Sequence, residues 1–103
     1  MTYAEFDKLY EQMVKEENEI GASKGVEYTQ AGDRLDNFKR LAKELGIQPE
    51  LVLWIYLKKH LDGICKFIRT GTIYSEPIEG RIKDARVYLA LLRGLIEERK
   101  GDK

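Results

Sequence analysis

Residues 41–70 read LAKELGIQPELVLWIYLKKHLDGICKFIRT. The seven residues from Leu51 to Leu57 are all apolar, and Trp54, Leu57, Leu61, Ile64 and Ile68 recur at alternating spacings of three and four. That period is the seam of an amphipathic helix, not the alternation of a strand. Pro49 suits the first turn of such a helix and Gly71 its end, so the pattern predicts a helix over 49–70. Just upstream, Leu35, Phe38, Leu41, Ala42 and Leu45 form the inner face of a helix over 34–45. Asp33 is placed to be its N-cap and Gly46 its stop.

Two further helices flank this pair. Phe6, Leu9, Tyr10, Met13, Val14 and Ile20 follow helical periodicity over 3–20, with Thr2 and Glu5 at capping-box spacing and Gly21 as the end. Ile82, Ala85, Leu89, Leu92 and Ile96 make a core stripe over 77–99, which starts at Pro77. The connection Gly21–Gly32 is long for a helical bundle, the kind of loop that often carries function. Thr70–Glu76 reads as a turn, with room for a short extended piece at Thr72-Ile73-Tyr74. The expectation is an all-α, four-helix single domain spanning residues 1–103.

Bulk composition narrows the function classes. A chain of 103 residues holds one domain. Eighteen basic residues balance eighteen acidic ones, which argues against a protein devoted to coating nucleic acid or an anionic membrane. The seven-residue apolar run is far short of the roughly 20 residues that span a bilayer. The opening MTYAEFDKLYEQ is acidic and mixed, so no signal peptide is expected, and the cytoplasm is the expected compartment. Cys65 stands alone, which excludes an internal disulfide and a cysteine-based zinc cage; its helical spacing reads as a core position.

Helices three and four carry more apolar surface than one seam needs. Leu51, Leu53, Ile55 and Tyr56 cannot all face one neighbour within a domain this small. The expectation is a homo-oligomer, helix-swapped or packed face to face, with Trp54 buried.

Leu41–Tyr56 also has the spacing of a helix-turn-helix, supplied by Ala42, Gly46 and Val52. Its second helix would offer Pro49, Glu50, Leu51, Leu53 and Trp54 to a DNA groove. An acidic residue repels phosphate, and Leu and Trp do not read base edges, so the stretch is expected to be a structural corner and nucleic acid an improbable partner.

Charged residues on nearly buried stripes are where chemistry would sit. Glu16 with Glu19, Asp33 with Asp36, and Glu76, Glu79 and Asp84 are acidic groups that could hold Mg²⁺ between helices, and Lys59 and Arg81 could neutralise phosphate oxygens. Most such pairs in a chain that is 35% charged are solvated faces. Asp84 differs, because it shares a stripe with Tyr88, Leu91 and Leu95 and so points inward. Its plainer reading is a buried ion pair with Lys59. His60 is the single histidine and, with no second histidine or cysteine, makes a poor zinc site.

The order Tyr28, Gly32-Asp33-Arg34-Leu35-Asp36-Asn37-Phe38, Gly46-Ile47-Gln48-Pro49, Tyr56-Leu57-Lys58-Lys59-His60-Leu61-Asp62, Ser75-Glu76-Pro77-Ile78-Glu79-Gly80-Arg81-Ile82-Lys83-Asp84 and Tyr88 resembles small uncharacterised helical proteins encoded by phages and prophages. A looser resemblance extends to helical domains associated with nucleotide modification, and through them to MazG-like all-α nucleoside triphosphate pyrophosphatases. Those enzymes hold Mg²⁺ with a Glu-x-x-Glu helix and a later Glu-x-x-Asp helix. Glu16 and Glu19 match the first motif, whereas Glu79 and Asp84 stand five apart and Val87 replaces the Asn expected before Tyr88. The leading expectation is a phage- or prophage-type helical homo-oligomer whose inter-helix cleft, formed by Tyr28, Asp33, Asn37, Lys59, Asp62 and Asp84, contacts a nucleotide or another phosphate compound, with Mg²⁺ on Asp84 and Glu79. Whether such a cleft hydrolyses anything is left open. The alternative from a different class is a non-enzymatic protein–protein interaction module, and the third a nucleic-acid binder.

Overall fold

In the computed structural model four helices follow one another: α1 Tyr3–Tyr28, α2 Asp36–Leu45, α3 Pro49–Thr70 and α4 Ile78–Gly101. Residues 1–28, 32–72 and 76–101 are described, the stretch 20–28 by its backbone alone. Among them there is no strand. The extended piece expected at Thr72–Tyr74 falls largely outside the described residues.

Local signals set most of the helix ends. The backbone N–H of Thr2 donates to Glu5 Oε1 and that of Glu5 to Thr2 Oγ1, both at 3.1 Å, closing the capping box that starts α1. Gly21 does not end this helix, whose backbone continues to Tyr28. Asp33 is not the N-cap of α2. Its Oδ1 accepts the Leu35 N–H at 2.9 Å, shaping a turn that delays the helix to Asp36. Gly46 and Gly71 close α2 and α3 in the left-handed conformation, φ 68° and 71°, which only glycine adopts without cost.

The core lies among α2, α3 and α4. Leu35, Phe38 and Ala42 meet Val52, Leu53 and Leu57, with Ala85 and Leu95 completing it. Leu53 and Leu57 are fully buried. Helices α3 and α4 run antiparallel: Glu50 at the start of α3 meets Arg99 at the end of α4 at 3.0 Å, and His60 faces Asp84 farther along. Ala42 and Val52 are buried on either side of Gly46, so the expected helical corner is present.

The buried stripes differ from those expected in several places. On α3 the inward face is Leu53, Leu57, Leu61 and Ile64, while Ile68 and Cys65 are exposed. Trp54 is 46% exposed, not buried. It lies one residue, about 100°, round the helix from Leu53, and the seven-residue run cannot turn all its side chains to one side. Leu45, the last residue of α2, is exposed, and so are Ile82 and Leu89, because α4 presents Ala85, Tyr88, Leu91, Leu92 and Leu95 to the core instead.

Helix α1 is attached differently. Between Tyr3 and Glu19 none of its side chains is fully buried. Polar contacts hold it on α4: Glu17 Oε1 to Arg86 Nε at 2.9 Å, Glu16 Oε2 to Lys83 Nζ at 3.2 Å, and the Arg86 guanidinium 4.8 Å above the Tyr10 ring. The radius of gyration is 15.6 Å, against about 13 Å for a compact domain of this size. Among the described residues no helix is long and apolar enough to cross a membrane.

Candidate functional site

Three ligand-type side chains converge where α3 faces the start of α4. His60 projects from the middle of α3, Asp84 from the second turn of α4, and Glu76 from the residues leading into α4. His60 Nδ1 lies 4.0 Å from Glu76 Oε1 and 4.0 Å from Asp84 Oδ2. One donor atom from each of the three falls within 4.8 Å of the others, the one such grouping among the described residues. His60 and Asp84 are largely shielded, with side chains 13% and 15% exposed.

The surroundings hold these groups in place. Arg81 Nε sits 3.4 Å from Glu76 Oε1. Its guanidinium lies against Gly63 of α3, where a methyl group would come within 2.7 Å of Arg81 Cδ and Nε. The Tyr88 ring lies 5.4 Å from the imidazole. Tyr88 stands parallel to Tyr56 at 6.3 Å, and both present themselves edge-on to buried Phe38 at 6.2–6.3 Å. The cluster is therefore anchored through Tyr88 to the centre of the core.

The residues expected to form one cleft are spread over the molecule. Asp84 faces inward as its stripe required, but the partners placed beside it are His60 and not Lys59, which is exposed. Asp62 is exposed and paired with Lys58 one turn earlier. Asp33 Oδ2 accepts a hydrogen bond from Lys39 Nζ at 2.8 Å, and Lys39 also reaches Glu98 Oε2 at 2.7 Å. Glu98 is fourteen residues beyond Asp84 on α4, about 21 Å along the axis, so Asp33 and Asp84 serve opposite ends of that helix. The Lys39 ammonium holds the Asp33 carboxyl below its ordinary range, and Asp33 raises Lys39 in return. Asn37 is half-buried on α2, and its Oδ1 accepts no hydrogen bond from the described residues. The side chain of Tyr28 lies outside the described residues.

Nor do Glu79 and Asp84 share a metal position. Five residues rotate an α-helix by about 500°, which leaves the two some 140° apart around α4. Glu79 turns toward α1, where it lines a groove of about 270 Å³ with Leu9, Met13, Glu16 and Ile82. Glu16 in that groove is bonded to Gln12 and Lys83, and both hold its carboxyl below the ordinary range, Gln12 first. Glu19, its companion in the Glu-x-x-Glu motif, is exposed. The carboxylates expected to hold Mg²⁺, Glu79 and Asp84, therefore face different neighbours, Glu79 toward α1 and Asp84 toward His60.

No second histidine or cysteine marks His60 as a ligand, but the helix register does. In an antiparallel helix pair, residues equidistant from the turn meet. His60 lies eleven residues before Gly71, and Asp84 and Tyr88 lie six and ten after Ile78, which puts them on facing turns. No protein-family model, curated protein or solved structure matches the chain.

Proposed function

We propose that this chain is a self-associating helical module, and that a second copy covers α1 and the outer face of α3. The observation that carries this reading is the state of α1. Phe6, Leu9, Tyr10 and Val14 form an apolar stripe, and each is between 37% and 52% exposed. This stripe is on the side of α1 that meets α4, but the ion pairs of Glu16 and Glu17, the Arg86–Tyr10 contact and an open groove at Leu9 and Met13 cover it only in part. A helix so incompletely covered is poorly stabilised until something completes the cover.

The outer face of α3 offers a matching surface. Leu51, Trp54 and Ile55 are each 46–56% exposed and sit together on one side of the helix. Two apolar faces on one chain suit an isologous dimer, in which α1 of each copy lies on α3 of the other. A formal net charge of zero removes the general repulsion that would keep copies apart. A nucleotide or phosphate cleft has less support, because Asp33 and Asp84 attend opposite ends of α4. Duplex DNA has less still, since Glu50 at the start of α3 is committed to Arg99 and its neighbours Leu51 and Trp54 are apolar.

Trp54, the single tryptophan, reports directly on the proposed interface. Its emission should shift to the red on dilution from tens of micromolar into the nanomolar range, and Phe6→Lys should move that transition to higher concentration. Emission that does not change over the whole range, in the parent and in Phe6→Lys alike, overturns the proposal.

A further inference from the structure

We propose that His60, Glu76 and Asp84 form a binding site for a divalent transition-metal ion. The donor set is one imidazole nitrogen and two carboxylate oxygens, drawn from α3 and from both sides of the start of α4. Mixed nitrogen and oxygen donors favour zinc, manganese, iron, cobalt or nickel, whereas Mg²⁺ takes oxygen donors and keeps its water.

The geometry is near that of a metal-bound site. Three atoms that all lie within 4.8 Å of one another have a common point no more than about 2.8 Å from each, against metal–ligand bonds of about 2.0–2.2 Å. Closing the remaining ~0.6 Å takes small side-chain rotations and no movement of the helices. Arg81 Nε lies 3.4 Å from Glu76 Oε1, the same oxygen that stands 4.0 Å from His60 Nδ1, and so orients the carboxylate toward the imidazole. The Tyr88 ring supports one side of the imidazole.

Charge sets the strength and the character of the site. With a neutral imidazole, the two carboxylates and the Arg81 guanidinium sum to one negative charge. A divalent ion brings the sum to one positive charge. The guanidinium therefore keeps the affinity below that of an all-carboxylate cage. Three protein ligands also leave coordination positions for water or for a small anion.

The test uses tag-free protein stripped with EDTA and titrated with ZnCl₂ or MgCl₂. His60 is the single histidine, so one imidazole resonance in the NMR spectrum reports the site without ambiguity. Zinc should shift that resonance and bind one ion per chain by calorimetry, at least about a hundredfold more tightly than magnesium. Asp84→Asn and Glu76→Gln should each weaken zinc at least about tenfold while the far-ultraviolet dichroism stays unchanged. Glu76 precedes α4 and is one-third exposed, so Glu76→Gln remains informative if Asp84→Asn fails to fold. Exposed Cys65 is the competing zinc ligand, and Cys65→Ser should leave binding as it was. The proposal is overturned if millimolar zinc leaves the imidazole resonance in place, if magnesium binds as tightly as zinc, if Cys65→Ser abolishes binding, or if the folded carboxamide variants bind zinc like the parent.

Discussion

Arg81 of α4 lies across Gly63 of α3, close enough that a methyl group on residue 63 would stand 2.7 Å from the arginine Cδ and Nε. The arginine side chain takes this path across the space that residue 63 leaves open by having no side chain. Glycine in a helix interior costs roughly 1 kcal/mol relative to alanine, so close passage of Arg81 offsets a local penalty.

Substitution at Gly63 separates the two effects. Gly63→Ala gains helix propensity and displaces only the flexible end of Arg81, so its stability should stay within about 1 kcal/mol of the parent. Gly63→Leu cannot be accommodated by the arginine alone and should cost about 1–3 kcal/mol. Urea denaturation of both variants checks this, and a neutral Gly63→Leu would mean that Arg81 does not pack there.

Phe38 should be the most sensitive core position on α2. It is 2% exposed and receives the edges of both Tyr56 and Tyr88. Phe38→Ala should cost about 3–5 kcal/mol, as large-to-small changes in well-packed cores do. It should also loosen the Tyr88 ring beside His60, visible as a changed imidazole chemical shift. A loss below 1 kcal/mol would place the core elsewhere.

The Asp33–Lys39 pair should shape the pH dependence of stability. Asp33 is depressed in the folded state, chiefly by the hydrogen bond from Lys39, so its contribution is present above the unfolded carboxyl value near 3.9 and fades as pH falls through the lower folded value. Lys39 is raised, chiefly by Asp33, so its contribution is present below about 10.4 and fades as pH climbs through the higher folded value. Both side chains are more than one-third exposed, and the pair should contribute no more than about 1 kcal/mol. Asp33→Asn should lower stability at pH 7 and converge with the parent near pH 2. A constant difference between the two across that range would contradict the assignment.

The legible part of this chain is its helices. Gly46, Pro49 and Gly71 act through local backbone geometry, and their consequences can be read without tertiary knowledge. The rotation of each helix is less legible. Leu51 to Leu57 is apolar on every side, so periodicity alone could not choose between Trp54 and Leu53 as the buried residue; packing against Phe38 and Leu95 chose Leu53. Asp84 could be placed inward because its stripe-mates are apolar. Its partner could not be named until the antiparallel register of α3 and α4 put His60 opposite. Gly21 looked like a helix end, yet glycine only weakens a helix, and the backbone of α1 runs through it.

Duplex DNA offers a further check on the corner between α2 and α3. At that surface Leu51 and Trp54 are apolar, and the cation placed there, Arg99, is held by Glu50. Trp54 emission should show no salt-dependent response to duplex DNA at micromolar concentration, and a response that Glu50→Ala strengthens would restore the nucleic-acid reading.

The mass of the protein in solution tests the central claim most directly. Sedimentation velocity at tens of micromolar should return at least twice the 12.0 kDa of one chain, and Phe6→Lys combined with Trp54→Lys should lower the value toward a single chain. A parent protein that sediments as one 12.0 kDa chain at that concentration would contradict the proposed cover of α1 and α3 by a second copy.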